Sequence, residues 1–463
     1  MRKFKKLMTL LLCASTLSAS AGMFSACGGG GSGEISVMML VNDGSDIWYE
    51  EKFEALEQEL GVTIDYVGYA FQDYDNQLRL AMQDRVPDVF YIRPNQIKNF
   101  VADGLLADLT GYIAENVDSS ALLDNFNDAF RYDGTDVGGS EGQIYAVNGG
   151  YSYQGLAYNK ILIDGCREAI HDVGLSAPDE LQEGETYTWD EFALLLDTIN
   201  GMPVGGANGE DPIGAMDMPT GNMLLQMMMN FGANILDTST GTVNIDTPQV
   251  QACLDYLVEA QNDRGSNGIG YISSDNTFTQ WKGNLLAFYT ASGSWEMEKY
   301  GEYEEIESGT LQDVNVDFMP WPTETGNYAD TRALVGGAGY AVYSGSENLE
   351  LAMQVATYFM TPDILDEMCY EGMALPMTKE LAEGAYLTDD KFHPDNKQFL
   401  LDVISGEIGE VSPLNNCYSV EWYDNFANNI DAVWNGSTSA ADYIKEVAPR
   451  MQELYDMYNK NVR

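Results

Sequence analysis

Apolar positions along this chain repeat with two periods in turn. Glu34 to Leu40 (EISVMML) is a short apolar run with strand character, and Asn42-Asp43-Gly44-Ser45 after it is a turn sequence. Tyr49, Phe53, Leu56 and Leu60 then recur by four, three and four, the spacing of one helix face, and Gly61 stops them. Val62, Ile64 and Tyr66 alternate as a strand. Strand, helix and strand in this order predict a parallel pair, whose functional loops lie at the strand C-termini. A helix fits Tyr74 to Ala81, a buried strand Pro87 to Ile92, a helix Ile97 to Val101 and a strand Gly142 to Val147.

Further along, the helix starts carry their own signals. Thr188-Trp189-Asp190-Glu191 is a capping box, opening a helix with Trp189, Phe192, Leu195, Leu196 and Ile199 on one face. Thr247-Pro248 and Thr361-Pro362 each pair a capping residue with a proline in the first turn. Val250, Leu254 and Leu257 follow the first of these. Ser346 is read as the cap of a helix that turns Ala352, Val355, Ala356 and Phe359 inward, and Ala440 to Lys460 as a terminal helix. Strands and helices alternate nearly throughout, so the expected class is α/β. No repeat of 20–50 residues is visible. No low-complexity linker follows Gly33, so the chain is expected to cross between its domains more than once.

The first residues follow neither period. Arg2, Lys3, Lys5 and Lys6 precede an apolar stretch from Leu7 through Leu12 to Ala21, the pattern of a secretory signal peptide over 1–26. The stretch is too short and interrupted to span a bilayer. Phe24-Ser25-Ala26-Cys27 resembles a bacterial lipobox, with Phe24 in place of the usual Leu. Cys27 is therefore expected to carry lipid, and 27–33, with its Gly/Ser run, to be a flexible tether.

Composition sharpens the picture. About 437 residues remain after cleavage, which suits two or three domains. Losing the four leader cations takes the formal charge from −49 to −53. Such a chain repels nucleic acid and anionic lipid heads, so a basic patch cannot hold it to a membrane. Cys166, Cys253, Cys369 and Cys417 lack CxxC spacing, which argues against zinc; one or two disulfides or free buried thiols both remain open. His171 and His393 are the only histidines, too few for a histidine-rich metal site, and are expected to be solvated. No GxxxxGK[ST] loop occurs. The runs Asp133-Gly134-Thr135-Asp136 and Asp237-Thr238-Ser239-Thr240-Gly241 miss the EF-hand spacing and read as turns. No cofactor or metal is expected.

Motif order now carries a resemblance. Pro87-Asp88-Val89-Phe90, Gly104-Leu105-Leu106, Gly142 to Val147, Tyr158-Asn159-Lys160, Thr188 to Phe192, Lys282 to Ala287, Gly293-Ser294-Trp295, Phe318 to Pro322 and Gly336 to Val342 follow one another. In this order they resemble the extracellular solute-binding proteins of ATP-driven sugar importers, the group that includes maltose-binding proteins. The segments Tyr132 to Ser140 and Gly205 to Asp211 look like insertions.

The resemblance implies two α/β lobes, 34–150 with about 337–360 and 151–336 with about 361–463, holding a ligand in the cleft between them. It implies a carbohydrate ligand, a monomer, delivery to an ABC permease and no enzymatic activity. A sugar needs flat rings for its faces and polar groups for its edge. The family places a stacking tryptophan at Trp295 and often a second at Trp422, and crosses between lobes at Tyr151 and Tyr153. It reads ligand polarity near Asp217 and Thr220, and Trp321 lies near a crossing. Asn42, Asp43, Arg93 and Asn95 are further candidates because they follow strand ends. A surface glycoside hydrolase or lyase, and the same fold holding a non-sugar solute, are the alternatives.

Overall fold

The computed structural model describes residues 33–41, 45–263, 274–296 and 315–460. Among them one nine-stranded sheet runs through the molecule. Its strands are β1 (Glu34–Val41), β2 (Thr63–Ala70), β3 (Val89–Ile92), β4 (Ala146–Asn159), β5 (Gly214–Met216), β6 (Leu286–Gly293), β7 (Val316–Phe318), β8 (Ala333–Val342) and β9 (Gly409–Glu410). The order is β2-β1-β3-β8-β4-β6-β5, with β7 on β4 and β9 on β8.

The first half forms as its periodicity predicts. β1, β2 and β3 are parallel, with Val41 opposite Ala70 and Val37 opposite Val89. Between β1 and β2 lies a helix, Ser45–Leu60, that buries Tyr49, Phe53 and Leu56. Gly61 ends it at φ +66°, a left-handed conformation that glycine adopts without steric cost.

β4 differs from the expected strand. It runs fourteen residues, through Tyr158 and Asn159, whereas the sequence reading stopped at Val147. Its first part pairs with the second half of β8, as in Val147 with Tyr340 and Ala146 with Ala341. Its last part pairs with β6 and β7 instead. One strand thus serves two halves of the molecule, and Gly149 and Gly150 lie where it passes between them. A Cβ on Gly149 would come within 2.6 Å of the Tyr340 ring, so only glycine fits there.

Two apolar cores flank this shared sheet. The first gathers Ile35, Met39, Phe53, Phe90, Ile97, Phe130 and Phe359. The second gathers Leu162, Phe192, Leu196, Met228, Leu254, Phe426 and Ile444. Ile364, Leu365, Met368, Phe399, Leu400 and Val403 are buried in the first core, and Leu414 lies in the second. Glu367 fixes this placement by accepting from Trp48 Nε1 at 2.9 Å and pairing with Lys52.

Local signals hold with one shift. Glu191 N donates to Thr188 Oγ1 and Thr188 N to Glu191 Oε2, closing the capping box. Ser346 is not the cap of its helix, which runs Leu349–Tyr358 with Asn348 at the cap; Ser346 Oγ donates to Asp88. The four cysteines are buried free thiols. Burial pushes Cys166 and Cys417 up to about 11, so neither is a ready thiolate. Asp133 accepts from the N–H groups of Thr135 and Asp136, and Asp237 from those of Ser239 and Thr240, which makes both runs turns. No group of three or more potential metal ligands occurs among the described residues.

Candidate functional site

Strand pairing fixes where the two halves face each other. β8 opposes β3 with Gly339 beside Ile92, the last residue of β3. Residues 335–338 of β8 therefore run past the C-terminal ends of β1, β2 and β3, paired to 150–153 of β4. On the far side, Gly293 at the end of β6 pairs with Gln154, and β5 runs parallel to β6. The C-terminal ends of the parallel strands thus point at the crossings from both sides. That is the edge where open α/β sheets hold ligands, and here two such edges confront each other.

On the second half, β6 delivers Trp295. Its indole folds back so closely over Gly293 that a Cβ there would sit 2.6 Å from the ring. Ser294 Oγ accepts from Tyr153 N at 3.1 Å, tying this turn to the crossing strand. Trp295 is half-buried. Asp217, after β5, is 5 % exposed. It accepts from Thr290 N at 2.7 Å and Thr290 Oγ1 at 2.9 Å. Burial pushes its carboxyl up to about 7 against the opposing pull of those bonds. Thr220 is exposed at the head of the helix Gly221–Asn230.

On the first half, Arg93 follows β3. Nη1 reaches both carboxylate oxygens of Asp75 at 2.9 Å, and the guanidinium lies 5.2 Å from the Phe71 ring centroid and 5.9 Å from that of Tyr91. Asn95 is exposed two residues on. Asp46 accepts from Tyr66 OH at 2.6 Å beside the end of β2. Asn42 and Asp43 lie outside the described residues.

Four expected ligand rings lie elsewhere. Trp422 and Trp321 are fully buried in the second core, and Trp422 packs edge-on against Tyr423 and Tyr455. Tyr153 is fully buried against Phe318 and Phe399, and Tyr151 OH donates to Asn125 O at 2.5 Å from inside the first core. The alternation of β4 turns both tyrosines to one face, and that face is packed. Arg93 and Trp295 are thus brought to the facing edges, with Asp217 behind. Phe71, Asp75 and Asp46 belong to the same edges and were not among the candidates. The rule that selects residues after β1 and β3 also selects Phe71, directly after β2.

This arrangement is that of a two-lobed binding protein with its site between the halves. Residues 50–395 match the family of bacterial extracellular solute-binding proteins, and the chain belongs to that family. No curated protein matches the sequence. Among solved structures, an ABC substrate-binding protein from Listeria monocytogenes in complex with cycloalternan is similar at 18 % identity and TM-score 0.70, covering 92 % of this chain and 99 % of that one. The GacH receptor of Streptomyces glaucescens, solved unliganded and with acarbose, is 18 % identical at TM-score 0.68, over 93 % and 100 %. The sugar-binding protein MalE of Xanthomonas citri is 16 % identical at TM-score 0.68, over 92 % and 98 %. At these identities the likeness establishes the fold.

Proposed function

We propose that this protein is a lipid-anchored receptor that captures a carbohydrate between its halves and delivers it to an ABC importer. Trp295 carries the reading: a half-buried indole, folded back over Gly293, stands at the strand end that faces the other half. A sugar face stacks on such a ring, while Arg93 and its neighbours across the gap address hydroxyl groups. Solved proteins of the same fold hold cycloalternan, acarbose and maltose, which supports a carbohydrate over other solutes. Binding is noncovalent and favours the closed arrangement of the halves. The receptor acts as a single copy, tethered through Cys27 beside the permease, where the anchor raises its local concentration.

Titration calorimetry against maltose, maltotetraose, cycloalternan, acarbose, tagatose and ribitol tests the ligand class. Binding of at least one is expected; silence throughout, with turnover of chromogenic glycosides instead, would return the protein to the hydrolase reading. Mass spectrometry of the mature N-terminus is expected to find a diacylated Cys27, and an unmodified one would make it a freely secreted binder.

A further inference from the structure

A hairpin of the first half reaches over to the second. At its base Arg131 pairs with Ile144 and Tyr132 with Gln143, and Asp133 closes the turn at its tip. Most of it is the segment Tyr132 to Ser140, which reads as an insertion in the sequence. Gly138 lies at φ +94°, and a Cβ there would come within 2.7 Å of Val411. Glycine therefore lets the hairpin close on the segment that follows β9. Beside it Val137 is buried, and its N–H donates to Asn416 Oδ1.

The helix Pro94–Ala102 completes the junction. Lys98 Nζ donates to Thr135 O in the hairpin at 2.9 Å and to Asn416 O at 3.0 Å, and lies 5.1 Å from the Tyr418 ring centroid. Asn99 Nδ2 donates to Tyr418 O at 3.0 Å. These bonds join different halves. Val137 and Ile97 are in the first core, Leu414 and Cys417 in the second. Ser419 is anchored from the far side: its N–H donates to Asn459 Oδ1 and its carbonyl accepts from Asn459 Nδ2, both at 3.0 Å.

Acids outnumber cations by 72 to 23, yet this lysine donates to two carbonyls on opposite sides of the junction. A charged donor binds a carbonyl more strongly than a neutral one does. Burial pulls Lys98 below the ordinary lysine range, with Asp136 and Asp133 opposing, so its ammonium is partly withdrawn from water. Parting the halves on this side breaks all of these bonds.

We propose that the hairpin at 131–144, fastened through Lys98 and Asn416, is a strap that limits how far the halves part in the sugar-free protein and so sets the affinity for the sugar. Without it the binding-competent arrangement is less populated, and the apparent affinity falls in proportion. The effect on affinity rests on the carbohydrate reading above; the strap itself does not.

The test is small-angle scattering of the full chain without sugar, paired with calorimetry on the tightest binder of the sugar panel above. K98M keeps the stem over Tyr418 and loses the charge, N416A opens the other end, and K98R keeps a cation. K98M and N416A are each expected to show a larger radius of gyration than wild type without sugar, the wild-type radius with it, and a Kd about tenfold higher. K98R should follow wild type. Wild-type radii in both variants, an unchanged Kd or tighter binding would overturn the strap while leaving the carbohydrate function standing. Silence of wild type on the whole panel would remove the carbohydrate reading, and the scattering comparison then decides the strap by itself.

Discussion

Trp295 and Gly293 work as one unit. The indole can lie close over the backbone because residue 293 has no side chain. Replacing Trp295 with alanine removes a stacking face worth roughly 1–3 kcal/mol of apolar contact. A five- to hundredfold rise in Kd for the bound sugar is expected by calorimetry, with the melting temperature little changed. G293A keeps the tryptophan but pushes a methyl into its ring. It is expected to weaken binding as well, and a shift in Trp295 fluorescence would report the displaced ring. Trp422 is a contrasting case of the same residue type. Fully enclosed between Tyr423 and Tyr455, it is a core residue. Trp422→Ala should cost about 3–5 kcal/mol of stability in a denaturant melt.

Elements meet at the crossings through buried amides. Gln226, on the helix Gly221–Asn230, donates from Nε2 to Gln154 O at 3.1 Å and accepts at Oε1 from Leu334 N at 2.8 Å. It completes the backbone bonding of β4 and β8 where their mutual ladder has ended. Asn230, one turn on, does the same for Arg332, accepting from its N–H and donating to its carbonyl. Gln226→Leu fills the same volume but strands a buried N–H and a buried C=O. A loss of about 2–6 kcal/mol is expected, from two unsatisfied groups at about 1–3 kcal/mol each. Amide exchange should then accelerate at Leu334, and an unchanged rate there would remove Gln226 from this bracing role.

Across the whole molecule, charge and burial act in one direction. Asp217 and Asp317 are both buried acids, the first pushed up to about 7 and the second to about 6, chiefly by desolvation. Among the described residues, Thr290 is the side-chain hydrogen-bond partner of Asp217. Asp317 meets Tyr158 OH and Asn396 N–H, with Asp395 and Lys160 nearby. Each folded-state pKa is raised, so the folded chain binds these protons where the unfolded chain has released them. Stability is therefore full below about pH 4 for these groups and falls as pH rises through about 6 and 7. The strong negative charge adds repulsion over the same range. Thermal melts are expected to shift downward between pH 4.5 and 8. D217N, which cannot ionise, should flatten that dependence by on the order of 3–4 kcal/mol. A melt that is flat in wild type over this range would contradict the burial of both acids.

Much of this architecture was legible along the chain because it is set locally. The helix faces at Tyr49, Phe53 and Leu56, and at Phe192, Leu195 and Leu196, follow from spacing alone, and so does the capping box at Thr188. The motif Gly293-Ser294-Trp295 is visible along the chain, but the fold of the indole back over Gly293 is shown only by the structure. What the sequence could not determine was which rings stay uncovered. Trp295, Trp321 and Trp422 read alike, each near glycine, proline or a helix start, yet the last two are enclosed by segments remote in the chain. Phe71 is the opposite case, an exposed ring where an apolar residue in a helix is ordinarily buried. Phe71 stands at the head of the helix that follows the edge strand β2. The return of 364–408 to the first core belongs with these cases, fixed by Glu367 beneath Trp48 and Lys52. Local period determines which elements form. Long-range packing decides which of their side chains remain open to a ligand, because burial depends on neighbours that the spacing of one segment does not encode.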